Sequence, residues 1–414
     1  MRKFALRIQL FALMAIATTF FSHNASAADF TELPEPQWTI TLPDHTSTTV
    51  LDKNYYFLGK KYFPIVSEHN GSRTGYMFQY YNPGVKGKST YKMMAFDDTT
   101  GKQTWTRNSP HAYNAFDIDR KGNLYYVEQV KIDKKTYRKL VALDSNNKQR
   151  WVKTLASSFN WYVLDDGRIA IIDTIQNKSH LVLYSTEGKQ LLNREYDGII
   201  RHIQGNYVGS VNYVGAATIL DIYSISANKK MTTAKYPQDY FSYIHAEFDV
   251  LSGGTLLVPV LDAKTGIETL YGYSPDGNKK WSRIMPTPDS DRKDRLFMSI
   301  GNHYLVQDKN TLTVYDTNNK LVATRTFDNM PDQYTLQPLG SQSIAFGGVE
   351  SKGYWYDFEK PSKAVFYVVD ARTLKTQNAL ILEQARFAER NIRFLNTDTF
   401  YLDMGTRLAK YELK

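Results

Sequence analysis

The chain of 414 residues contains no cysteine. Disulfide bonds, thiol nucleophiles and thiolate metal sites are excluded at once. Whatever fold it adopts is held by an apolar core, and a chain this long can bury enough surface for that. Past the first thirty residues, no apolar run approaches the ~18 residues that cross a bilayer as a helix. No HExxH, GxSxG, GxGxxG or P-loop pattern occurs. Blocks of Lys and Arg of the kind that track a nucleic-acid backbone are missing, so no nucleic-acid partner is expected. No long stretch carries apolar residues at helical spacing.

What is present begins with a leader. Arg2, Lys3 and Arg7 form a positive n-region, Ile8 to Phe21 is a mostly apolar run, and Ala25-Ser26-Ala27 supplies small residues for a signal peptidase. Residues 1–27 therefore read as a secretory signal peptide cleaved before Ala28, and residues 28–414 as one exported, extracytoplasmic domain. Arg2, Lys3 and Arg7 carry three of the nine net positive charges, which leaves about six on the mature chain. A positive surface favours loose association with anionic cell-envelope polymers or lipid headgroups.

From Gln37 onward the sequence alternates apolar and polar residues between turns rich in Asp, Asn, Gly and Lys. One unit recurs: an apolar strand, such a turn, then a second strand often opened by Trp. Lys92 to Trp105 reads KMMAFDDTTGKQTW, Lys139 to Trp151 reads KLVALDSNNKQRW, and Thr269 to Trp281 reads TLYGYSPDGNKKW. His180 to Leu191, Thr311 to Val322 and Val365 to Gln377 are further copies, with Leu191 in the Trp position of the first; Ile219 to Met231 is a weaker one. A second hairpin precedes most copies, as in Ala115 to Val127, Tyr162 to Ile172, Phe248 to Val258 and Phe394 to Leu402. Two hairpins per ~40–55 residues is the spacing of propeller blades, whose sheets bury both faces only by stacking around an axis.

The turns place seven blades near Thr100, Asn146, Thr186, Ala227, Asp276, Asn318 and Arg372. The chain then ends on RLAKYELK, a third strand with no fourth, whereas Pro36 to Leu42 (PQWTITL) matches the fourth strands of other copies. The expected fold is an all-β, single propeller of eight four-stranded blades, the N-terminal strand closing the last blade. Seven blades is the alternative if Ala216 to Lys235 is irregular. A monomer is expected.

The unit Ala95 to Trp105, AFDDTTGKQTW, resembles the repeat of the quinoprotein-type (PQQ-like) β-propellers. As a pattern the resemblance spans most of residues 28–414, and it implies the fold rather than a cofactor. The adjacent cysteine pair of the quinoprotein alcohol dehydrogenases has no counterpart here, and no residues match quinone or calcium ligands. Neither PQQ nor calcium is expected as a cofactor. In size and export the chain is closer to the non-enzymatic BamB-like members, without their lipid-bearing cysteine.

Candidate sites are few. Asp117-Ile118-Asp119-Arg120-Lys121-Gly122 has the look of a calcium loop, but Lys121 takes a ligand position and no Glu closes it, so a hairpin turn is expected, as at Asp165-Asp166-Gly167. His111, His202 and His245 fall near inner strands but in no ligand spacing, so no metal site is expected. The longest insertions between second and third strands are Ser67–Ser89, with Tyr76, Phe78, Tyr80 and Tyr81, and Gly348–Lys363, with Tyr354, Trp355, Tyr356 and Phe358. Aromatic residues on loops suit capture of a protein or a cell-surface polysaccharide. A charged connection, Asp289 to Arg295, lies on the same predicted face. The expectation is a non-catalytic binding or scaffolding propeller. The alternatives are a polysaccharide lyase or hydrolase at the channel mouth, whose paired carboxylates need no fixed spacing, and then a quinone-dependent dehydrogenase.

Overall fold

The computed structural model describes residues 33–41, 46–47, 65–69, 72–81, 90–109, 113–119, 121–132, 135–155, 159–164, 166–215, 217–237, 248–262, 265–286, 297–328, 333–349, 362–385, 392–403 and 407–413. They form eight antiparallel sheets, each taken as a blade with strands A to D from the axis outward. Blades 2 to 7 are continuous in the chain; blade 4, Ile199–Gln204 to Lys229–Pro237, is regular, which settles the count at eight. Blade 8 draws strands A to C from the C-terminal end (Ile392–Phe394, Thr399–Asp403, Arg407–Glu412) and strand D, Trp38–Thr41, from the N-terminal end. Trp38 pairs with Lys410 and Thr41 with Arg407, as the terminal sequences predict. In blade 1 two short pieces, Thr46–Ser47 and Ile65–His69, share the innermost position along strand B, Ser72–Tyr81.

Alternation puts apolar side chains on both faces of every blade, and eight buried clusters result, one at each seam between neighbours. The C–D turns organise the outer seam. In most of them the opening Asp or Ser accepts hydrogen bonds from the turn's own amides, as Asp97 does from Thr100 at 2.8 Å and Asp316 from Lys320 at 2.9 Å; in blade 5 the Ser274 hydroxyl instead donates to the Asn278 carbonyl at 3.0 Å. Each of the seven turns holds one residue at positive φ: Gly101, Asn147, Gly188, Asn228, Gly277, Asn319 and Leu374. At Gly188 the preceding blade's indole leaves no room for a side chain. A Cβ on Gly188 would come within 2.8 Å of the Trp151 ring.

The repeated Trp is a bridge between blades. Trp38, Trp105, Trp151 and Trp281 donate their indole N–H to Asp98, Ser145, Thr186 and Thr317 carbonyls at 2.8, 3.1, 2.9 and 2.9 Å, each in the C–D turn of the next blade. A bulge at the turn end of the C–D ladder in each of blades 1 to 7 shifts the pairing by one residue, while the ladder that closes blade 8 is regular. In blade 3 the Trp position is held by Leu192, which stands seven residues after Ser185 as Trp151 does after Asp144 and packs at the blade 3–4 seam, whereas Leu191, expected there, is exposed. Ala323 and Asn378 hold it in blades 6 and 7.

Candidate functional site

Antiparallel order sends all B–C and D–A connections to one face of the ring and all A–B and C–D turns to the other. Closure makes blades 1 and 7 the two neighbours of blade 8. The B–C connections of these two blades, residues 82–89 and 350–361, therefore leave the same face on either side of the closing blade. Tyr354, Trp355, Tyr356 and Phe358 lie outside the described residues, as do the Asp289 to Arg295 connection, His111 and His245.

The blade 1 aromatics are placed differently from expectation. Ser67–Ser89 is largely strand: Tyr76, Phe78, Tyr80 and Tyr81 sit on strand B, opposite Ala95, Met93, Tyr91 and Thr90 of strand C. Tyr76 is 2% exposed and packs with Met93, Ile118, Leu124 and Tyr126 across the blade 1–2 seam. Its hydroxyl donates to the Gly122 carbonyl at 3.0 Å, and burial pushes that hydroxyl's pKa up strongly. The arrangement repeats in blade 4, where Tyr207 donates to Gly254 at 3.2 Å in the corresponding turn of blade 5. Tyr76 is thus a seam residue and cannot present its ring to a partner; the strand's period of two carries it into the core. Nothing in the sequence distinguished it from its neighbours except that spacing.

The Asp119 turn is filled by its own chain. Its carboxylate accepts from the amides of Lys121 and Asn123 at 2.9 and 3.0 Å, from the Asn123 side chain at 2.6 Å and from the Tyr125 hydroxyl at 2.9 Å. Burial, then the Asp119 charge, raises the Tyr125 pKa. His202 packs edge-on to Phe248 at 4.7 Å between the inner strands of blades 4 and 5. Among the described residues no group of three His, Cys, Asp or Glu side chains is placed to hold a metal ion, and no helix is long and apolar enough to cross a membrane.

Two features escape a reading of the sequence. The inner strands are laced together: Asp249 of blade 5 accepts from the Gln204 side chain of blade 4 and the Ser299 amide of blade 6, both at 2.8 Å. A recess of about 330 Å³ lies between the outer strands of blades 3 and 4, lined by Arg194, Tyr196, Asp197, Tyr223, Lys229 and Lys230. Its cations are engaged: Arg194 donates to the Ile225 carbonyl, Lys229 to the Asp276 carbonyl, and Lys230 pairs with Asp221 at 3.0 Å.

No family model matches the chain, and no curated protein matches it. Solved structures with some likeness include a eukaryotic initiation factor (13% identity over 83% of this chain and 82% of that one, TM-score 0.47). Others are Hsv2 of Kluyvelomyces marxianus (10% identity, 74% and 93%, TM-score 0.39) and the Dos1 propeller (11% identity, 84% and 92%, TM-score 0.37). At such scores the description of the fold rests on the strand pairing above.

Proposed function

We propose that this chain is an exported, non-catalytic binding or scaffolding propeller of the PQQ-like type. It recognises a protein or an anionic cell-envelope polymer through the connections on one face of the ring. The observation that carries this reading is the closure. It sets the two longest B–C connections on the blades that flank blade 8, on a common face: residues 350–361, with Tyr354, Trp355, Tyr356 and Phe358, and residues 82–89, which follow Tyr80 and Tyr81 at the end of strand B. A closed ring of eight packed seams is a rigid platform, and loops held by such a platform are where recognition residues concentrate. The leader at residues 1–27 supplies the reason for an extracytoplasmic partner.

The reading is tested by replacing Tyr80, Tyr81, Trp355 and Tyr356 with Ala in the full chain and measuring capture from cell-envelope extracts. The expected outcome is a loss of capture of roughly tenfold or more with the thermal midpoint kept, since interface aromatics carry a disproportionate share of binding energy. Unchanged capture overturns the assignment to these connections.

A further inference from the structure

Blade 8 is joined from both ends of the chain, so the ladder between its strands C and D holds the ring without a covalent link. A second attachment lies beside that ladder. The residue after the turn-opening Asp or Ser is uncharged in blades 2 to 7: Ser145, Thr186, Ile225, Pro275, Thr317 and Ala371. In blade 1 it is Asp98, which is fully buried. The Asp98 carboxylate pairs with Lys410 Nζ at 2.9 Å and accepts from the Tyr401 hydroxyl, while its carbonyl accepts from Lys410 Nζ at 2.8 Å. Lys410 is only 5% exposed. Among the described residues no other ion pair buries both partners.

Tyr401 and Lys410 lie on strands B and C of blade 8, and Asp98 lies in blade 1. These contacts bridge the two blades without using strand D. Strand D adds a four-residue ladder, the Gln37 amide to Lys410 carbonyl bond at 2.7 Å, and Trp38, whose indole donates to the same Asp98 carbonyl and packs against Phe96 and Tyr401. Taking two charges out of water is costly, and a buried pair is a poor choice for bulk stability where apolar packing would serve. Here it stands at the seam that chain connectivity leaves open.

We propose that the ring has two clasps in parallel: an ionic clasp, Asp98 with Lys410 and Tyr401, that holds blades 1 and 8 together, and a strand clasp, Trp38–Thr41, that opens independently of it. Release of strand D then uncovers the pairing edge of Arg407–Glu412 while the ring stays closed.

Hydrogen exchange of the full chain, followed by mass spectrometry, tests this. Amides of strand D are expected to exchange roughly tenfold or more faster than those of Thr399–Asp403 and of blade 1 strand C, Thr90–Asp97, by a local opening that spares the seam. In Asp98→Asn the ladders of blade 8 and blade 1 strand C accelerate toward the rate of strand D. Tyr401→Phe removes one hydrogen bond to the clasp and gives the same convergence to a smaller degree, should Asp98→Asn fail to accumulate folded. A common rate across strand D, blade 8 and blade 1 in the unaltered chain overturns the proposal. So does an unchanged pattern in both variants.

Discussion

Tyr76 shows what a single residue contributes here. It spans a seam by packing and by one hydrogen bond to Gly122. Tyr76→Phe keeps the ring and removes the bond, at a cost of about 1 kcal/mol; Tyr76→Ala also opens a cavity and costs about 3–5 kcal/mol. Chemical denaturation measures both. Partner capture by Tyr76→Phe is expected to equal that of the unaltered chain, which separates a seam role from a recognition role. The sequence could not make that distinction by composition, because core and surface aromatics look alike until strand register assigns each a face.

At the scale of the element, the C–D turn and the slot opposite it vary together. Where the slot holds Trp105, Trp151 or Trp281, the next turn holds Asn147, Gly188 or Asn319 at positive φ. Where it holds Ala323, the next turn holds Leu374 at φ 57°, fully buried in the same cluster as Ala323. A left-handed Leu costs about 1 kcal/mol relative to Gly, and its side chain offsets that by filling space an indole fills at other seams. Arg325 still reaches the turn, donating to the Leu374 carbonyl at 2.7 Å as Arg283 donates to Asn319. Ala323→Trp alone is expected to overpack the seam by about 1–3 kcal/mol, and Leu374→Gly alone to leave a cavity. The double variant is expected to be more stable than the sum of the two predicts, a coupling that a denaturation cycle reads directly. The slot itself is legible once the copies are aligned on the turn opener: Leu192 and Ala323 stand seven residues after Ser185 and Asp316, as Trp151 stands after Asp144 and Trp281 after Ser274, because all four ladders share the bulge.

For the molecule as a whole, stability is spread around the ring in repeated seams, and so is its sensitivity to acid. Hydrogen bonds from Thr100 hold the Asp97 carboxyl below the usual carboxylate range, and those from Ser274 do the same for Asp276. Asp370 is also held low; burial pulls it up, but bonds from Thr373 prevail. A carboxyl whose folded-state pKa is depressed adds stability that is present above its unfolded value and is lost as pH falls through the folded one. The thermal midpoint is therefore expected to fall as pH drops below about 4, with several turns contributing. Asp97→Asn lowers the midpoint at neutral pH and flattens that fall; an acid limb as steep as in the unaltered chain counts against the turn as its source.

The repeat, the blade count and the closing strand were all legible in the sequence, because period-two alternation and turn chemistry are local and each copy repeats them. Trp38 could be matched to its sister strands at a distance of 372 residues from Lys410 because both ends carry the same local pattern. Only the tertiary structure decided which tyrosine is core, which turn each indole meets, and that a buried Asp98–Lys410 pair lies beside the closing ladder. Those depend on strand register and on contacts between blades, which bring together residues far apart in the chain, and a linear sequence records neither.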